Sequence, residues 1–371
     1  MKLLFIAGLW FLFCLTNGFG QTNGCTDPQA DNFNPLATLN DGSCIYSPQN
    51  YIPAQTINLP STLGELSGMV YWNGKFWGHN DGGNGAWFYA FDTANGSVKK
   101  VIGLTGGSNN DWEDMAQDSL NFYIGDFGNN GNGNRKNLRI YVVPKEYLSE
   151  AGDTLLLGNN QYKIIQFSYP DQVDFSPTGS NKTRFDCEAM IFHHGRLHLF
   201  TKNWIGNYSV HYSLPSLPGN YSATRHDSLN TAGFLVTAAD IGAEDQIMLT
   251  SYNQGGACAI FLVYGFDSGP DYFKTGNKRK INLPSAIQIG QLEAVCYMNG
   301  IRGAFGSERF RAGIFDTQQN TRRFTTDQWL VDHYRHNQAA FAEPGMMRYN
   351  TETGQFEFFN GTAWQQLEGI E

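Results

Sequence analysis

Positive charge is scarce in this chain, cysteines are few, and beyond the first residues there is no long apolar run. Only 25 Lys and Arg stand against 34 Asp and Glu, a net charge of -9. The basic face that a phosphate backbone requires is missing, which excludes nucleic acid as a partner. After Leu15 no stretch approaches about 18 consecutive apolar residues, so the chain is not expected to span a membrane with a helix. A phosphate-cradling Walker loop, the dinucleotide-binding glycine fingerprint and the Gly-x-Ser-x-Gly elbow are also absent, which removes the enzyme classes that depend on them.

Glycine is plentiful at 42 residues, aromatic side chains make up 14%, and only 16% of residues are charged. That composition suits an all-β chain punctuated by glycine, with few helices. Lys2, the apolar run Leu3–Leu15 and a small polar stretch ending at Gly20 and Gln21 form the pattern of a secretory signal peptide, so the mature chain is expected outside the cell or on its surface. In an oxidising compartment Cys25 and Cys44, which bracket a short polar segment, read as a disulfide. Cys187, Cys258 and Cys296 are odd in number and scattered. They read as small buried residues, with a Cys187–Cys296 bridge left open if inner strands bring the two together.

The main body repeats one unit: an acidic head, a short apolar strand, a turn, a second strand and a polar cluster. The heads are Glu65, Glu113, Glu188, Asp240 and Glu293. Asn73-Gly74 and Asn299-Gly300 supply the strongest short-range hairpin signal in two of the units. Successive heads lie about 50 residues apart, or about 75 between Glu113 and Glu188, and spacing of that size with several short strands is what propeller blades need. Third and fourth strands follow in Trp87–Phe91 with Val98–Leu104, and in Leu138–Val143 with Tyr162–Tyr169.

The fold expected is therefore an all-β, five-bladed β-propeller of four-stranded blades; six blades is the alternative if the Gly158–Tyr169 region forms a partial one. Ile57-Asn58-Leu59-Pro60-Ser61 and Ile281-Asn282-Leu283-Pro284-Ser285 match each other and read as outer strands. The first would close the last blade by pairing beyond Arg311–Phe315 and Arg322–Phe324, which removes an open sheet edge. The resulting division is a signal peptide over 1–20, a Cys-bracketed Asp- and Asn-rich segment over 21–50, the propeller over 51–332, and a linker with a C-terminal β-hairpin over 333–371.

The first strand of each blade lines the channel, so its repeated head becomes a ring around the axis. Carboxylates so close cannot all ionise without a cation, and calcium, which takes about six to eight oxygens, is the natural neutraliser for Glu65, Glu113, Glu188, Asp240 and Glu293. Two other readings stay open: acids that cap backbone amides or pair with Arg135, Lys202 and Arg309, and a metal-free catalytic pair. If the channel mouth is catalytic, His79 is the candidate general acid/base, Asp81 and Asp126 are bases or metal ligands, and Arg135, Lys202 and Arg309 hold an anion. His193, His194 and His198 have metal-like spacing, but the first pair falls in a hairpin turn, so a surface role is expected. The Asp- and Asn-rich loop between Cys25 and Cys44 is a second place for calcium, against a solvated spacer. Trp72, Trp77, Trp87 and Trp204 are candidate exposed aromatics for contacts with a glycan or a surface protein.

Three resemblances rest on these residues. The segment Gly24-Cys25-Thr26-Asp27-Pro28 through Asn40-Asp41-Gly42-Ser43-Cys44 resembles a motif of exported proteins from Gram-negative bacteria that use type IX secretion. Leu63–Pro144, with Glu65-Leu66-Ser67-Gly68 and Trp112-Glu113-Asp114-Met115-Ala116, resembles exported bacterial β-propellers and is similar to calcium-activated nucleotidases (apyrases) and phytase-like propellers. That likeness implies calcium on the acidic heads and phosphate-ester or nucleotide hydrolysis at the mouth; the basic set such enzymes use is limited here to Arg135, Lys202 and Arg309. The tail from Pro344 to Trp364 resembles a hairpin common near the ends of bacterial and phage surface proteins. Two functions are expected from this: a calcium-stabilised binding or adhesion module for a glycan, a surface protein or a small anion, and, as the alternative, a calcium-dependent phosphohydrolase.

Overall fold

A computed structural model describes residues 21–149, 152–330, 347–350, 355–360 and 363–366; the segment 1–20, expected to be a signal peptide, lies outside them. Alternating apolar positions and tight turns fold the chain into five antiparallel blades. Their inner hairpins are Leu66–Trp72 with Lys75–Asn80, Trp112–Gln117 with Asn121–Asp126, Asp186–His193 with Arg196–Lys202, Leu235–Gly242 with Gln246–Tyr252, and Gln291–Asn299 with Arg302–Glu308. The turns at Asn73-Gly74 and His194-Gly195 place both central residues at positive φ (49° and 74°, 46° and 75°). This is the primed geometry whose twist matches a tight hairpin. Third and fourth strands complete each sheet, as Trp87–Asp92 and Val98–Leu104 do in blade 1.

The ring closes as expected. Ala54–Asn58 pairs antiparallel with Asn320–Thr325, so the N-terminal strand is the outermost of blade 5. Phe310–Ala312 and Phe315–Thr317, expected within that blade, form a separate two-stranded hairpin. The long gap after Glu113 holds no sixth blade. Lys163–Ser168 is the fourth strand of blade 2, while Thr154–Leu157 leaves its own blade and pairs in parallel with Val98–Leu104 of blade 1.

That excursion recurs. Gly219–Ser222, which precedes the fourth strand of blade 3, pairs in parallel with blade 2, and Gln49–Asn50, which precedes the closing strand of blade 5, pairs in parallel with blade 4. Before the fourth strand of blade 4 the chain instead forms a short helix, Tyr272–Thr275, whose Phe273 and Lys274 amides donate to Asp227 on the outer strand of blade 3. Each such segment covers the neighbour's exposed edge and ties adjacent blades together.

Between the blades the core is apolar and aromatic. Phe122 packs edge-on against both Trp72 and Trp77, with ring centroids 5.7 and 5.4 Å apart. These two tryptophans are therefore packed between blades 1 and 2 and do not form a glycan-facing surface. Cys187, Cys258 and Cys296 are all buried free thiols, so the open Cys187–Cys296 bridge is not made: blades 3 and 5 are not neighbours.

Cys25 and Cys44 are joined as expected, and a stable disulfide belongs to a chain that matures outside the reducing cytoplasm. The loop they close is seated on blade 4. The Asp27 carboxylate accepts from Tyr46 Oη (2.6 Å) and Tyr264 Oη (2.5 Å) and lies 3.7 Å from the Arg279 guanidinium. Asp31, Asn34, Asn40 and Asp41 accept from nearby amides or hydroxyls. Its oxygens hold the loop in shape and dock it. At the other end, Met347–Asn350, Gln355–Phe359 and Trp364–Gln366 form a three-stranded sheet, one strand more than the hairpin expected. No helix among the described residues is long and apolar enough to cross a membrane.

Candidate functional site

In each blade the inner strand carries a bulge near its start, and the bulged position sets what faces the channel. The register skips Glu113 between Trp112 and Asp114, Glu188 between Cys187 and Ala189, Thr237 between Val236 and Ala238, and Glu293 between Leu292 and Ala294; in blade 1 it skips Ser67 and Gly68. The axial ring is thus Ser67, Glu113, Glu188, Thr237 and Glu293. Three of the five expected heads belong to it, and two do not. Glu65 precedes its bulge and is exposed on the rim, where its carboxylate accepts from Asn84 Nδ2 at 2.8 Å. Asp240 follows its bulge and accepts from the amides of Tyr297 (2.7 Å) and Ile241 (2.8 Å), the amide-capping role kept open above.

The residue that follows the channel-facing one is small in four blades: Gly68, Ala189, Ala238 and Ala294. In blade 2 it is Asp114. Its fully buried carboxylate reaches across the axis, accepting from the amides of Met190 (2.8 Å, blade 3) and Ala239 (3.0 Å, blade 4) as well as Met115 (2.8 Å). Burial raises its pKa well above the usual carboxylate range, against the pull of those three amides. The sequence signal for this plug is Asp114 itself, an acid where Gly68, Ala189, Ala238 and Ala294 stand in the other blades.

Above the ring lies a polar cavity of about 210 Å³ lined by Asp81, Glu113, Glu188, Lys202, Glu293 and Glu308, among others. Glu113 belongs to two carboxylate triads, one with Asp81 and Asp111 and one with Asp186 and Glu188. In each triad one oxygen from every residue lies within 4.8 Å of the others. Gly128 makes this approach possible, since a Cβ there would overlap both Glu113 Oε1 and Asp111 Oδ2. The Lys202 ammonium binds Glu188 and sits over the rings of Trp204 (5.0 Å) and Tyr252 (4.9 Å). Glu188, Glu293 and Asp186 hold Lys202 firmly protonated in spite of its burial.

One lysine does not balance this many acids. Burial, then Glu188 and Asp81, push Glu113 well above the ordinary range. Burial, aided by Asp81 and Asp186, takes Asp111 to about 7. Burial takes Glu293 to about 7 although Lys202 opposes it, and burial with Glu293 and Asp81 takes Glu308 to about 9. Burial first, and then the crowding of like charges, raise the carboxyls of the mouth.

The remaining candidates are placed as follows. Asp81 and Lys202 are in the mouth. Asp126 is fully buried and pairs with Arg135 and Arg139, each at 2.8 Å. Arg135 also donates to the carbonyls of Gly128 and Asp126, so it is spent on loop structure. Arg309 pairs with Asp316 beside the extra hairpin. His79 is wholly buried, with Nδ1 at 3.0 Å from the Asn80 carbonyl and its ring edge-on to Trp112, and burial lowers its pKa to about 4. These positions leave His79, Asp126 and Arg135 without access to the cavity. Trp204 stands at the mouth, where its Nε1 donates to Asp186 at 2.7 Å. The surface role expected for the histidines is corrected too: His193 and His198 are buried at 8% and 2% exposure, and only His194 is exposed.

No protein family and no curated relative matches the sequence. Solved β-propellers match in shape. A glutaminyl cyclase from Myxococcus xanthus is 10% identical with a TM-score of 0.42, over 75% of this chain and 99% of that one. Regucalcin, a calcium-binding protein from Agrobacterium tumefaciens, is 11% identical with a TM-score of 0.38, over 75% and 98%. A gluconolactonase from Xanthomonas campestris is 11% identical with a TM-score of 0.38, over 86% and 97%. The likeness is one of fold alone.

Proposed function

We propose that the chain is a secreted or cell-surface β-propeller that takes up calcium at its axial mouth and uses the cation-stabilised mouth as a binding module for a polar ligand such as a glycan. The observation that carries this reading is Glu113, a buried carboxylate shared between two triads while the nearby ammonium is bound to Glu188. Carboxyls crowded in this way stay protonated unless a cation joins them. The donors are all hard oxygens, and the amides of Asn130 and Asn181 line the same cavity, which is the donor chemistry calcium selects. Asp81, Asp111, Glu113, Asp186 and Glu188 would hold the ion. Trp204 and Tyr252 offer ring faces beside it.

The test is a melting curve with calcium and with EDTA. Calcium is expected to raise the unfolding temperature of the native chain and not that of Glu113→Gln; equal temperatures in calcium and EDTA would sink the proposal. Glycan-array binding that disappears in Trp204→Ala identifies the ligand class.

A second reading, calcium-dependent hydrolysis of a phosphate ester, is favoured by one observation: Glu293 at about 7 and Glu308 at about 9 lie in the mouth with Lys202. Carboxyls poised near neutral pH suit proton transfer. Turnover of nucleotides, phytate or aryl phosphates with calcium decides it.

A further inference from the structure

At the far end of blade 3 the buried histidines form a continuous chain. Asp245 Oδ1 lies 3.0 Å from His193 Nε2; His193 Nδ1 lies 2.6 Å from Tyr272 Oη; Tyr272 Oη lies 3.1 Å from His198 Nε2. The chain continues from His198 Nδ1 to His211 Nε2 at 2.8 Å and ends with His211 Nδ1 at 3.2 Å from Asp227 Oδ1. Every ring uses both nitrogens, and a carboxylate terminates each end.

Counting protons shows a shortfall. Five links need five protons, one per link. A neutral imidazole carries one N–H and a tyrosine one O–H, so three histidines and Tyr272 supply four. With N–H groups pointing at both carboxylates, His198 can donate to Tyr272 or to His211 but not to both, and one close contact is left between two lone pairs. An unmade hydrogen bond between buried groups is costly.

A metal ion at the Asp245 end removes the shortfall. If His193 Nε2 binds a cation in place of a proton, His193 Nδ1–H donates to Tyr272, Tyr272 Oη–H to His198, His198 Nδ1–H to His211 and His211 Nδ1–H to Asp227. Four protons then fill four links in one direction, with every ring neutral. A ligating imidazole that donates its other N–H to a fixed partner is the usual outer-shell arrangement.

The ligands are in place. One donor atom each from His193, His194 and Asp245 lies within 4.8 Å of the others, and the ring centroids of the two histidines are 3.8 Å apart. His194 and Asp245 are exposed, so a cation can reach the site from solvent. We propose that His193 and His194 of blade 3 with Asp245 of blade 4 form a binding site for a divalent cation of the zinc class, seated on a relay of Tyr272, His198, His211 and Asp227. Two imidazoles and a carboxylate match such a cation, leaving a fourth position for water. The mouth, whose cavity is lined by no imidazole, has different chemistry.

Calorimetric titration of the full chain with zinc chloride tests this. Binding at this site is expected to weaken at least about tenfold in His194→Ala and in Asp245→Asn, both exposed positions whose substitution leaves the core intact. Tyr272→Phe, which touches no metal, is expected to weaken it by about tenfold through loss of the relay. Zinc should raise the unfolding temperature of the native chain more than that of His194→Ala. Absence of zinc binding, or equal zinc affinity in the native chain and His194→Ala, overturns the assignment. So does a titration of His198 or His211 near neutral pH, followed by NMR, that persists unchanged under saturating zinc, because it would show a proton filling the chain instead.

Discussion

Blade 3 carries two polar clusters about 16 Å apart along one strand, at Glu188 and His193, and they solve opposite problems. At the mouth, Glu188 joins Glu113, Asp186, Glu293 and Glu308 around one lysine, so the group has too much negative charge and retains protons. At the other end, His193, His198 and His211 lie between two carboxylates and are one proton short of a complete hydrogen-bond chain. Burial raises the carboxyls and lowers the histidines, to about 2 for His198. The same desolvation therefore makes one cluster prefer acid and the other prefer base.

The largest expected effect separates the clusters by charge. Lys202→Met leaves Glu188 buried without its ammonium and is expected to destabilise the fold by about 3–5 kcal/mol in urea unfolding, with part recovered in calcium. Removing zinc-binding His194, on the exposed turn, should leave that unfolding midpoint unchanged in the absence of metal. Next in size is Asp114→Asn. An amide oxygen can keep the bonds from Met190 and Ala239, which one Asp114 oxygen accepts, but it sets an NH2 against the Met115 amide, so a loss of about 1–3 kcal/mol is expected by the same measurement. A neutral result there would show that the plug does not tie blades 2, 3 and 4.

The pH dependence of the chelator-treated protein should display both clusters at once. For the mouth, the folded pKa values of Glu293 (about 7) and Glu308 (about 9) exceed the unfolded ones, so the native state binds the extra protons. Its contribution to stability is fully present below about pH 4.3 and is lost as the pH rises through about 7 to 9. For His79 (about 4) and His198 (about 2) the folded values lie below the unfolded one, so stability is lost as the pH falls below about 6.5. Between about pH 4.5 and 6.5 the two protons that Glu293 and Glu308 retain only in the native state match the two that His79 and His198 take up only in the unfolded state, so the melting temperature should change little there and fall above about pH 6.5, a fall that calcium should flatten. A fall above about pH 6.5 that calcium leaves unchanged would mean that the cation does not engage these carboxyls.

How far these regions could be read from sequence differs for a physical reason. The mouth was legible because it repeats: Glu113, Glu188 and Glu293 share one register, and Ile57–Ser61 matches Ile281–Ser285 because both lead out of a blade's outer strand. Glu65 and Asp240 fall out of register because an acidic residue alone does not mark the channel-facing position. The reliable marker is the small residue that follows it, which aligns Ser67-Gly68-Met69 and Thr237-Ala238-Ala239 with Glu188-Ala189-Met190 and Glu293-Ala294-Val295. The histidine chain repeats nowhere. It draws on four strands of blade 3 and a 3-10 turn and a helix of blade 4, brought together only when the segment before the fourth strand of blade 4 folds over blade 3. No spacing along the chain encodes that.

The smallest expected effect concerns two cations that look alike in sequence. Lys202 ends the second strand of blade 3, and Arg309 follows the end of the corresponding strand in blade 5. Both were equal candidates for holding an anion. In the fold, Lys202 points into the mouth and Arg309 turns outward to Asp316, on the hairpin that blade 5 adds after this strand. An exposed pair of this kind contributes little because water screens both charges. Arg309→Ala is therefore expected to leave the melting temperature, the calcium response and any ligand binding of the mouth unchanged, where Lys202→Met alters all three. A loss of ligand binding in Arg309→Ala at unchanged stability would mean that the ligand reaches beyond the axial ring to the rim, and would move Arg309 and Glu65 into the site.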